Sequence, residues 1–288
     1  MELLPIEETI EIIEKLSFSD IHKKSIINLK ENYDRPPLAI SIGTDNVNYN
    51  GHFYPLRFGT YGNLSLIKGE EKSRKTFLKS MLLACAIGGN SNIYNPEIQG
   101  FDLKDKYIID IDTEQDKYDN WLTASRISKM VGTNEKPVYP ENYIPINLRE
   151  NSSTEIKGYL EWLFMESEFK NKLGIVSIDG FVDCVEDFNN QTESKEFTRN
   201  LMKYASLTQC HITGILHLNP NSEKARGHLG TILQQKCETV VIIKDKGNYS
   251  EVICQRSRGK KFESFTISVD QNWLPYKSEF TVEENWKS

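Results

Sequence analysis

Apolar residues recur along this 288-residue chain in two different rhythms. Near the start, Ile6, Ile10, Ile13, Leu16, Ile21 and Ile27 fall close to helical spacing, with Glu and Lys between them. The spacing predicts helix over residues 6–32, broken near Ser17 to Asp20. Pro36-Pro37 ends it, because proline lacks the N–H and restrains the residue before it. Leu38–Ile42 and Phe53–Leu56 read as short strands around a Gly/Asn/Asp-rich turn. From Asn63 onward, apolar runs alternate with amphipathic stretches. Strands are expected at 64–68, 107–112, 143–147, 175–179, 212–218 and 239–244, and helices at 75–88, 117–130, 154–170 and 193–208. That alternation implies βαβ units: an α/β fold with a mainly parallel sheet flanked by helices. The last runs, 239–244, 251–256 and 264–269, have no helix between them and predict a C-terminal antiparallel extension.

Composition narrows the function. Lys plus Arg is 35 and Asp plus Glu is 41, a net charge of −6, which argues against coating nucleic acid by bulk charge while leaving room for a local basic loop. No apolar run is long enough to span a bilayer, and the acidic start has no secretory-signal pattern, so no membrane association is expected. The cysteines Cys85, Cys184, Cys210, Cys237 and Cys254 are odd in number and lack C-x-x-C spacing. They read as reduced thiols of a cytoplasmic protein.

The strongest local signal is Gly69-Glu70-Glu71-Lys72-Ser73-Arg74-Lys75-Thr76, placed after an apolar strand and before a helix opening at Phe77. This is the strand–loop–helix setting of the G-x-x-x-x-G-K-[ST] phosphate loop. Inward-turned backbone N–H groups and a helix N-terminus suit phosphates, so Gly69 through Phe77 are the candidate ATP contacts. Lys75 would reach the β and γ phosphates and the Thr76 hydroxyl would ligate Mg²⁺. Arg74 replaces the second glycine of the motif. Its side chain must point away from the phosphates, and a positive φ there would be costly. A second magnesium-shell carboxylate is expected after an apolar strand, and Leu173–Ile178 ends in Asp179. Asp110-Ile111-Asp112-Thr113-Glu114-Gln115 ends the strand after the loop helix, which makes Glu114 the candidate to polarise the attacking water.

Phosphate loop, D-T-E-Q at the next strand end, then an apolar strand ending in Asp together resemble the RecA-like P-loop ATPase core over about residues 38–270. The chain is most similar to the branch of RepA-type hexameric replicative helicases and related mobile-element ATPases, and more distantly to DnaB helicases and RecA. The resemblance implies that His217 is a polar sensor of the γ-phosphate. It also implies that Arg256 and Arg258, spaced like a K-x-R pair on a late hairpin, reach a neighbour's nucleotide. The expected organisation is an N-terminal helical segment or linker (1–35), an ATPase domain (36–270) and a C-terminal tail (271–288).

The expected activity is therefore ATP binding and hydrolysis with Mg²⁺ by a homo-oligomer, a hexameric ring in the relatives, acting on single-stranded DNA in replication or mobilisation of a mobile element. A different class stays open: a nucleotide-dependent switch or assembly factor that binds a protein and translocates nothing. The loop Gly180–Asn189 is acidic, and the polar loop Asn219–Gly227 offers only Lys224 and Arg226 to a phosphate backbone.

Overall fold

The computed structural model describes residues 18–101, 103, 105–218 and 227–280. Contacts divide the chain into residues 1–35 and 36–288. In the first unit, α1 spans Phe18–Ser25 and buries none of its residues. The sequence pattern carries helix on to residue 32, but the helix ends earlier. Asn28 accounts for this: its Oδ1 accepts from Lys30 N at 3.1 Å and its Nδ2 donates to Glu31 Oε1 at 2.9 Å. Such local side-chain bonding competes with helical bonding. The expected helix around Ile6, Ile10, Ile13 and Leu16 lies outside the described residues, as do the loop 219–226 and residues 281–288.

The second unit begins with β1 (Leu38–Tyr49) and β2 (His52–Thr60), an antiparallel hairpin longer than the apolar runs suggest. Then come β3 (Leu64–Gly69), α2 (Lys75–Ile87), β4 (Ile98–Gly100), β5 (Tyr107–Asp112), α3 (Lys117–Val131), β6 (Tyr143–Asn147) and α4 (Ser153–Met165). The chain continues with β7 (Leu173–Asp179), α5 (Gln191–Thr208), β8 (His211–His217), α6 (Gly227–Lys236), β9 (Thr239–Asp245), β10 (Ser250–Ser257), β11 (Phe265–Val269) and β12 (Pro275–Ser278). The main sheet has nine strands in the order β12-β11-β10-β9-β3-β8-β7-β5-β6, and β2-β1-β4 form a separate small sheet. From β9 through β6 every pairing is parallel, and from β9 through β12 every pairing is antiparallel. The sheet runs past residue 270, where a tail is expected, because β12 pairs with β11 and Leu274 is buried.

Alternation along the strands supplies two cores. Ile67, Ile108 and Ile175 join the cluster under α2 and α3, while Leu66, Ile109, Ile111, Val176 and Ile178 join the cluster with α4, α5 and α6. Toward the carboxyl ends of β5 and β7 the first face changes character. Asp110, Asp112, Ser177 and Asp179 occupy positions that two-residue periodicity assigns to it, and all are buried. Buried charges persist only where partners meet them, so this face marks the site.

Candidate active site

The loop from Gly69 to Arg74 joins the central strand β3 to α2. A Cβ on Gly69 would lie 2.5 Å from Ser73 Oγ and 2.7 Å from Ile243 O, so the tight turn requires glycine. Ser73 Oγ donates to Glu70 O at 2.7 Å and closes it. Side chains cap α3 (Asp116), α4 (Ser152, paired with Glu155) and α5 (Asn190), whereas α2 has no side-chain cap. Its first N–H groups, with the helix dipole, are open to an anion. Glu70, Glu71 and Lys72 point into solvent, and Phe77 is half-buried in the first turn.

Arg74 adopts φ 68° and ψ 27°, the left-handed conformation that sequence marks as costly. Its guanidinium turns away from the loop onto the β9–β10 connection. There it pairs with Asp245 Oδ1 at 2.6 Å, and donates to Ser250 Oγ at 2.9 Å, Tyr249 O at 3.2 Å and Gly247 O. An anchored side chain offsets the backbone cost that a glycine would avoid.

Lys75 is buried, with Nζ donating to Glu70 O inside the loop. Burial lowers its pKa, against the opposing pull of Asp179 and Glu114. Thr76 Oγ1 donates to Asp179 Oδ2 at 3.1 Å. Strand register explains the convergence: β7 places Asp179 beside Asp112, and β8 places His217 beside Gly69. Asp112 Oδ1 accepts from Glu114 N at 3.0 Å and Gln115 N at 2.8 Å, which sets the turn that carries Glu114 over the strand ends. Glu114 Oε2 lies 3.3 Å from His217 Nε2, and this hydrogen bond holds the carboxyl below its ordinary pKa. Gly180 follows Asp179 with φ 103°, and a Cβ there would lie 2.0 Å from Thr113 Oγ1. Lys72 through Phe77, Glu114, Asp179 and His217 line one pocket of about 350 Å³ at the carboxyl ends of the parallel strands. Ligands of open α/β sheets bind in this position.

Arg256 and Arg258 are not brought to that pocket. β10 sets Arg256 beside Val240, and β9 sets Thr239 beside Ser65, so both arginines lie at the opposite edge of the sheet. Arg256 donates to Gln234 O at 3.0 Å and Arg258 to Lys236 O at 2.9 Å, capping the carboxyl end of α6. Both remain exposed.

Sequence reasoning misses Arg126. Its guanidinium stands 4.0 Å from the Phe77 ring centroid, and donates to Trp273 O at 3.1 Å and Ser80 Oγ at 3.3 Å. Burial pulls its pKa down to about 10, and among the described residues no carboxylate pairs with it. Arg126, Phe77, Gln115 and Thr123 also line an adjoining groove of about 730 Å³, with Tyr118, Trp121, Tyr139 and Trp273 around it. The exposed aromatics are the one signal that could have drawn attention to it.

No protein-family model matches the sequence, and no curated protein matches it. Among solved structures, the ATPase domain of a DnaB-like helicase superposes with a TM-score of 0.50, covering 75% of this chain and 85% of that one at 13% identity. The fold is RecA-like. The chain therefore resembles an ATPase domain in architecture. No helix among the described residues is long and apolar enough to cross a membrane.

Proposed function

We propose that this chain binds ATP with Mg²⁺ at the phosphate loop and hydrolyses it, as an oligomeric RecA-like motor acting on DNA. One observation carries the reading: Lys75, Thr76, Glu114, Asp179 and His217, distant in sequence, line a single pocket. The donor set fits the groups it would hold. Thr76 Oγ1 and Asp179 Oδ2 already touch, a hard-oxygen pair suited to magnesium. The uncapped start of α2 and Lys75 suit phosphates, which would replace Glu70 O as the acceptor of the ammonium. Magnesium, when bound, spreads the charge of the phosphates.

The chain's own residues supply the rest. Glu114, kept ionised by His217, orients a water and takes up its proton. His217, bridging Glu114 and the end of the central strand, senses whether a γ-phosphate is present. Arg126 and the aromatic groove next to the loop suit the ribose and base, since a guanidinium and aromatic faces both stack on rings. Arg256 and Arg258 lie too far from their own pocket to serve it and act on a neighbouring subunit in a homo-oligomer, a hexameric ring in this reading.

The second reading, a nucleotide-dependent switch that binds a protein, is favoured by one feature. The loop after Asp179 presents Asp183, Glu186 and Asp187 and no cation, which repels a phosphate backbone. Glu114→Gln tests the hydrolytic reading: bound MgATP with turnover lost is expected, because only a transition-state interaction is removed. Undiminished turnover would exclude Glu114 as the water-orienting group. Single-stranded DNA binding across a salt series, with and without an ATP analogue, separates motor from switch.

A further inference from the structure

Lys79 lies one turn after Lys75 on α2, between Leu78 and Met81 on a helix that is otherwise apolar toward the sheet. It is 1% exposed. A lysine is almost never buried so fully without charged partners. Here the partners are carboxylates from two strands. Lys79 Nζ lies 3.1 Å from Asp110 Oδ1 and 3.3 Å from Asp179 Oδ2. Asp112 faces the same side of the sheet, and Tyr143 OH donates to Asp110 Oδ2 at 2.9 Å. Burial alone would lower the lysine's pKa, yet Asp110, Asp179 and Asp112 outweigh it and hold the group charged. The Asp179 oxygen that faces Lys79 is also the one that accepts from Thr76 Oγ1.

We propose that Lys79 is a positioning residue for the magnesium site, an internal counter-ion that holds the Asp179 carboxylate against Thr76 before metal and nucleotide arrive. Three carboxylates gathered under α2 repel one another at short range in a medium of low dielectric. A single ammonium between Asp110 and Asp179 cancels part of that repulsion. It also fixes which Asp179 oxygen meets Thr76. Asp110, in turn held by Tyr143, anchors the ammonium from the far side. Without Lys79, Asp179 is pushed away from its neighbours and loses the orientation that a metal shell needs. The lysine is not a metal ligand and touches no phosphate in this arrangement; it acts through Asp179.

This inference rests on the nucleotide-binding reading. The test follows binding of a fluorescent non-hydrolysable ATP analogue as magnesium is raised, with a parallel titration in EDTA. Lys79→Met leaves carboxylates uncompensated and can fail to fold, so Lys79→Met/Asp110→Asn is made beside it to remove one carboxylate with the cation. Asp110→Asn alone keeps Lys79 on Asp179 and controls for the second change. The double variant should need about 10–100-fold more magnesium for half-maximal binding, the usual effect of losing a ligand-orienting partner. Its affinity in EDTA should match wild type, and Asp110→Asn should stay close to the wild-type magnesium profile. An unchanged magnesium profile in a folded double variant overturns the role of Lys79 alone. A wild-type protein that binds no nucleotide with or without magnesium overturns the nucleotide reading and this inference together.

Discussion

Replacing Arg74 by Ala and by Gly separates the two forces that shape the phosphate loop. Wild-type Arg74 sits at φ 68° and holds the β9–β10 connection through Asp245, Ser250, Tyr249 and Gly247. Both variants lose those anchors, so their difference isolates the backbone. An L-residue in the left-handed region costs roughly 1–2 kcal/mol, and the larger unfolded-state entropy of glycine returns about 0.4–1 kcal/mol to alanine. Arg74→Gly should therefore be about 1 kcal/mol more stable than Arg74→Ala. The anchors set the comparison with wild type. Hydrogen bonds to a charged group contribute about 1.5–3 kcal/mol when shielded, but Asp245 is 40% exposed and its ion pair is screened. Wild type should exceed Arg74→Ala by about 2 kcal/mol. Urea unfolding of the three proteins at neutral pH, with equal m-values as the condition for comparison, gives both differences. Equal stability of the Ala and Gly variants would refute a left-handed backbone at this position. A Gly variant clearly more stable than wild type would show that the anchors contribute nothing.

Removing the His217 partner should raise the Glu114 pKa toward its ordinary value, because their hydrogen bond is the main cause of its depression. The sign is fixed: a depressed carboxyl stays ionised as pH falls, so the acid limb of the ATPase rate should move to higher pH in His217→Ala, and an unmoved limb would break the coupling. Arg258→Ala should keep nucleotide affinity but lose any rise of specific activity with protein concentration, since a trans-acting arginine is worth about 10³–10⁵ in rate. Mixing it with Lys75→Ala should restore part of the activity; no rescue would leave Arg256 and Arg258 as caps of α6.

The parallel core was legible because its strands are buried on both faces and read as short apolar runs closed by polar residues at fixed places. β3, β5 and β7 end at Gly69, Asp112 and Asp179, where the chemistry also begins. Elements decided by tertiary packing were not legible. α6 opens Gly227-His228-Leu229-Gly230, a poor helix former, and is held by burial of Leu229 and Leu233. β4 is three residues long, and β12 starts with a proline, so neither has a periodicity to read. α4 stops at Met165, short of the expected residue 170, because Ser167 Oγ bonds back to Leu163 O and Lys170 Nζ to Met165 O. In the site, Lys79 looked like one more charge on an amphipathic helix. Only the register of β5 against β7 shows that Asp110, Asp112 and Asp179 share the face it meets. Arg126 and the aromatic groove depend on α3 lying beside Trp273, a contact across 147 positions that no local pattern announces.

Calorimetric titration of a non-hydrolysable ATP analogue with magnesium into wild-type and Lys75→Ala protein tests the central claim most directly. Lys75 reaches into the loop from the first turn of α2, so its loss removes the charge that meets the phosphates while leaving the β3–α2 frame in place. The account predicts stoichiometric, magnesium-dependent binding by wild type and none by folded Lys75→Ala. Equal binding by both proteins would contradict it and move the nucleotide, if one is bound, away from the phosphate loop.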